Sequence, residues 1–156
     1  MTPRSVAHDT FVIERTYDAP PSRVFAAWAD PVAKRRWFGG PAEWVQEAHT
    51  LDFRVGGHEH AGGGAKGGPL HRYDAVYRDI VQDQRIVSTY EMRMDQTLMS
   101  VSLATVEFKA EGQKTRLVYT EQGVFLDGRD NAAQREAGTR DLLDKLDASL
   151  RDAATR

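Results

Sequence analysis

The hydrophobic period of this chain changes twice along its length. From Trp44 onward apolar residues recur at every second position, giving candidate strands 44–49, 51–60, 70–81, 85–94, 98–110 and 114–124 with turn signals such as AEGQK between them. Period two places alternate side chains on opposite faces, so one face of each strand can be buried while the other meets water. Strands that follow one another through short connections pair antiparallel. With FVIERTY (11–17) as a first strand, the pattern predicts a sheet of six to seven strands. After LDGRD the period returns to 3.6: Leu142, Leu143, Leu146 and Leu150 form one stripe on a helix from about Asn131 to Ala153. Asn131 and Gln134 have the spacing of a capping box at its start.

Two short helices are inserted after the first strand. In APPSRVFAAWADP, Pro20 and Pro21 suit a helix start, and Val24, Phe25 and Trp28 share one face. Asp30 before Pro31 reads as an N-cap and first helical position, with the second helix running through Trp37 to Gly39-Gly40. The layout is α+β, with one long C-terminal helix over a curved antiparallel sheet. A helix is about 10–12 Å wide, too narrow to fill the concave side of such a sheet, so a pocket or a separately packed core must occupy the remainder.

The 156 residues show no repeat or linker and read as a single domain with its core at about 9–152. Without cysteine, disulfides and thiolate chemistry are excluded. No run approaches a membrane span, and the first ten residues lack the apolar core of a signal peptide, so a cytoplasmic protein is expected. The net charge of −2 argues against nucleic acid, and the short basic cluster Lys34, Arg35, Arg36 reads as a solvated helix face.

The segments FVIERTYDAPPSRVFAAWADP, KRRWFGGP, LDFRVGG, VSLATVEFKAEGQKTRLVYTEQGVF and GTRDLLDKLDASL resemble, in that order, the bacterial START-like superfamily known as SRPBCC. They are most similar to its branch named for the activator of the heat shock protein 90 ATPase. The resemblance implies a helix-grip fold and a cavity, between the terminal helix and the sheet, that carries a small apolar molecule without a cofactor. Some members of the superfamily are cyclases, aromatases or hydrolases, so an enzyme using Glu121 as acid or base is the alternative. A co-chaperone-like interaction module is a third reading, and a homodimer stays open beside a monomer.

The most apolar choice of strand faces points Phe53 and Val55, Tyr73, Ala75 and Tyr77, Ser88, Tyr90 and Met92, Ala104, Val106 and Phe108, and Leu117, Tyr119 and Glu121 toward the helix. With Trp28 and Trp37 closing one end and Leu142 on the helix stripe, these residues supply the candidate ligand site: Trp28, Trp37, Phe53, Tyr73, Tyr77, Tyr90, Met92, Phe108, Tyr119 and Leu142. Its polar members are Glu121, Arg135 and Thr139. Projected at 100° per residue, Arg135 and Thr139 fall on the buried stripe. An inward arginine needs a partner, and Glu121 is the inward carboxylate near the end of the last strand, so the two are expected to meet under the helix. Gly138 sits inside the same helix, where glycine costs about 1 kcal/mol relative to alanine, and close packing is the expected compensation.

VGGHEHAGGGAKGGPLH (55–71) raises a metal site as a question, because His58 and His60 share a strand face and a symmetric hairpin would set His60 opposite His71. Glu59 points to the other face, and no carboxylate stands out as a partner for these histidines. The glycines and proline are accounted for by a wide polar hairpin.

Overall fold

A computed structural model describes residues 3–154. The order is β1 (Val6–Tyr17), α1 (Pro21–Ala29), α2 (Pro31–Arg35), β2 (Val45–Gln46), β3 (Thr50–Leu51), β4 (His58–Gly64), β5 (His71–Val81), β6 (Arg85–Met94), β7 (Thr97–Glu111), β8 (Lys114–Leu126) and α3 (Ala132–Ala154). All pairings are antiparallel, in the order β1-β8-β7-β6-β5-β4-β2, with β3 also on β4. The sheet has eight strands, not the six to seven expected. The extra strand arises where the candidate segment 51–60 breaks. Gly56 takes φ +84°, and a Cβ at Gly57 would lie 2.0 Å from the Asp52 carbonyl oxygen, so the chain folds tightly between β3 and β4. The Gly56 N–H donates to the Tyr77 carbonyl and the Gly57 carbonyl accepts from the Tyr77 N–H, which tucks this turn against β5. Val55 is turned outward and 57% exposed, against the expected inward face. Candidate strand 44–49 shrinks to the two residues of β2.

Local signals explain the helix ends. Pro21 opens α1, the Asp30 side chain accepts from the Val32 N–H at 3.0 Å, and Asn131 Oδ1 accepts from the Gln134 N–H at 2.9 Å. Helix α2 stops at Arg35, short of the expected Trp37. Tyr17, Phe25, Ile13, Leu117, Leu143 and Leu146 are fully enclosed, so the core lies where α1 and the second half of α3 meet the sheet. Toward the first half of α3 the two layers leave open space. Among the described residues no helix is long and apolar enough to cross a membrane.

Candidate functional site

The open space is a cavity of about 730 Å³ under α3, bordered by the sheet, by α1 and α2, and by the 39–49 segment. Of the residues expected there, Trp28, Trp37, Tyr73, Tyr77 and Tyr90 border it, as do Met92, Tyr119, Arg135, Thr139 and Leu142. Phe53 and Phe108 lie outside its wall. They pack edge-on against Phe25, with ring centroids 5.7 and 5.3 Å away, and belong to the aromatic core. Trp28 and Trp37 meet edge to face at 4.7 Å at one end, and Trp37 Nε1 donates to the Ala27 carbonyl at 3.0 Å.

Glu121 is fully buried just behind the wall. Its Oε2 accepts from the Tyr90 hydroxyl at 2.7 Å and from Ser102 Oγ at 2.8 Å, and its Oε1 accepts from Tyr119 at 2.7 Å. The pair expected with Arg135 forms, Nη1 lying 3.2 Å from Oε2. Arg135 also donates to Ser100 Oγ at 2.7 Å, to Asp130 at 2.9 Å and to the Tyr90 oxygen at 2.8 Å. Its guanidinium lies 5.5 and 5.4 Å from the Tyr90 and Phe125 ring centroids, within reach of both. Burial opposes the charge on Arg135, but Tyr90, Glu121 and Asp130 outweigh it and move its pKa up. Burial, then Glu121, pushes the Tyr90 phenol up, so that group stays a donor. Thr139 Oγ1 bonds back to the Arg135 carbonyl at 2.9 Å.

A second buried carboxylate lies on β4. Glu59 is 1% exposed, with Lys34 Nζ 2.6 Å and the Tyr77 hydroxyl 2.7 Å from Oε1, and His49 Nε2 2.7 Å from Oε2. Burial pushes this carboxyl up, but Lys34, His49 and Tyr77 together overcome it and hold the pKa at about 2. The carboxylate is therefore the acceptor, and His49 Nε2 carries the hydrogen. For Lys34 the balance is reversed: loss of water around the enclosed amine exceeds the pull of Glu59, and its pKa falls. Lys34, His49 and Tyr77 border the cavity, whereas Glu59 stands behind them.

The reading of Lys34 as part of a solvated face is corrected here, since it is 2% exposed while Arg35 and Arg36 are in water. The signal was in the spacing. At 100° per residue Lys34 falls between Trp37 and Phe38, the two aromatics that enter the core. Glu59 does face away from His58 and His60, and that face is the buried one. No alternation marked it, because the break at Gly56 and Gly57 separates β4 from the phase of Phe53 and Val55. His49 carried no such signal, because it lies on irregular chain.

The hairpin histidines pair differently from the symmetric expectation. His60 lies opposite Asp74, and His71 opposite Gly63. His60 does have carboxylate partners, contrary to expectation: Nδ1 is 2.8 Å from Asp74 and Nε2 is 3.1 Å from Glu47, and Asp74 is the larger cause of its raised pKa. His71 stacks on Trp44 at 4.9 Å at the cavity's edge. Among the described residues no group of three His, Asp or Glu side chains could hold a metal ion. The expected packing role of Gly138 is also corrected. A Cβ there would meet nothing within 4 Å, and the residue borders the cavity.

A long helix gripping a curved antiparallel sheet, with a cavity between them, defines the helix-grip, START-like class. The family model for Activator of Hsp90 ATPase homolog 1-like proteins matches residues 18–151, and the chain belongs to that family within the SRPBCC superfamily. A structure from Rhizobium leguminosarum, of an uncharacterised protein, is 48% identical over 97% of this chain and 99% of its own, with a TM-score of 0.91. A protein from Rhizobium loti is 51% identical over 93% of this chain and 99% of its own, with a TM-score of 0.86. An AHSA1-like protein from Aeromonas hydrophila, 21% identical over 95% of this chain and 96% of its own, shares the fold with a TM-score of 0.71. No curated protein matches.

Proposed function

We propose that the protein binds a small hydrophobic or aromatic molecule in the cavity between α3 and the sheet, with Arg135 at the polar end of an apolar pocket. The observation that carries this reading is the cavity itself. Its 730 Å³ is within the usual range for small-molecule sites, and aromatic walls with a few fixed polar groups are their usual chemistry. Trp28, Trp37 and Tyr73 supply flat apolar surface, while Met92 and Leu142 can adapt to the bound shape. Arg135 is fixed by four acceptors before any ligand arrives, so little conformational freedom is lost on binding.

The geometry does not favour Glu121 as a catalytic acid or base. Three hydroxyls and a guanidinium occupy both oxygens, and the carboxylate lies behind the wall rather than on it. The family's name keeps a chaperone-directed interaction in view, but the cavity is the more specific observation.

Native mass spectrometry of protein purified from its own host tests the reading. A retained small molecule, lost when Leu142 is changed to Trp to fill the cavity, is the expected result. A ligand-free protein that also fails to take up apolar fluorescent probes would overturn it.

A further inference from the structure

An amine enclosed at a cavity wall invites chemistry beyond binding. Lys34 is 2% exposed, and its Nζ lies 4.5 Å from the Phe38 ring centroid and 5.6 Å from that of Trp28. Its polar neighbours are Glu59 Oε1 at 2.6 Å and the Tyr77 hydroxyl at 3.4 Å. Stability alone is a weak reason for such a pair, since well-packed apolar residues often serve a core as well as a buried salt bridge. What the arrangement provides is an amine with a proton acceptor in contact, facing aromatic space. Buried lysines with disfavoured ammonium forms are the side chains that become carbonyl nucleophiles. The lowered pKa of Lys34 agrees with that geometry. The remaining lysines, Lys66, Lys109, Lys114 and Lys145, are all exposed.

We propose that Lys34 is a carbonyl-reactive lysine that forms a reversible imine with an aromatic aldehyde or ketone held in the cavity. The proposal rests on the cavity's taking small aromatic molecules.

The chemistry balances with the groups present. The Lys34 ammonium passes one proton to Glu59 Oε1, and the freed lone pair attacks the carbonyl carbon. A C–N bond forms as the carbonyl π pair moves to oxygen. Because Glu59 stands behind the wall, its proton reaches that oxygen through the Tyr77 hydroxyl, which touches Oε1 and borders the cavity, and a second proton then passes from nitrogen to the same oxygen by the same route. The C–O bond breaks and water leaves. A protonated imine replaces the ammonium beside the Glu59 carboxylate, so the charge of the site is unchanged and no oxidant is consumed. His49 acts as a positioning residue, holding the other carboxylate oxygen.

The test incubates the unaltered protein with 2-naphthaldehyde and sodium cyanoborohydride at neutral pH, which reduces any imine to a stable secondary amine. Peptide mapping then locates the adduct. All three tryptophans border the cavity, so quenching of their fluorescence reports entry independently of reaction. The expected result is quenching together with labelling of Lys34 at least about tenfold faster than of any exposed lysine. Lys34→Arg, if folded, should keep the quenching and lose the adduct. Quenching by 2-naphthaldehyde and by its unreactive alcohol, with Lys34 unlabelled or labelled no faster than the others, would overturn the proposal and leave the binding reading intact. Failure of both compounds to quench would remove the reading and the proposal with it.

Discussion

Glu59 and Glu121 are two carboxylates buried on the same side of one sheet, and they are satisfied by different means. Glu121 draws its donors largely from the sheet: Tyr119 is two residues back on β8, while Ser102 and Tyr90 project from the same face of β7 and β6. Only Arg135 comes from outside. Glu59 draws one donor, Tyr77, from the neighbouring strand, and the other two from α2 and the irregular chain before β3. Hydroxyls fixed by strand register make the first site nearly self-contained. The second exists only when α2 and residue 49 are docked, and its charge balance depends on a single amine.

That contrast sets the order of expected effects. Lys34→Met should be the most damaging change, costing about 3–5 kcal/mol, because Glu59 would be left as an uncompensated buried charge. Lys34→Met with Glu59→Gln should recover much of that loss, and urea midpoints at constant m-value would measure both. A double variant no more stable than the single one would show that Glu59 was never the liability.

Acid should find Glu59 next. Its folded pKa of about 2 lies below the ordinary 4.5, so its stabilisation is complete above about pH 4.5 and is lost as pH falls toward 2. The loss amounts to about 3 kcal/mol, and stability measured against pH for the wild type and Glu59→Gln should show that slope flattened in the variant. An unchanged slope would break the account of the site.

Arg135→Met should cost less, about 1–3 kcal/mol, because three hydroxyls remain on Glu121. It should still weaken uptake of an apolar probe carrying a polar end, read by titration of tryptophan fluorescence. A cost equal to that of Lys34→Met would erase the proposed difference between the two sites.

The smallest effect belongs to the helix that covers the Glu121 end. Gly138→Ala should stabilise the protein, by up to about 1 kcal/mol, since the methyl meets open space and glycine is a poor helix former. A lower melting temperature would mean that close packing exists after all.

Alternation, helical periodicity and capping were enough to place the two short helices, the antiparallel sheet, the long terminal helix and the pairing of Glu121 with Arg135. These depend on residues near one another in sequence or set opposite one another by strand register, and periodicity encodes such relations directly. The break of candidate strand 51–60 at Gly56 and Gly57, the facing of His60 with Asp74 rather than His71, and the convergence of Lys34 and His49 on Glu59 arise from how distant segments pack. A five-residue helix and an irregular segment carry too little period to say where they dock. The burial of a charge is settled by what closes over it, and here Lys34 and His49 reach Glu59 from a short helix and an irregular segment whose docking no period encodes.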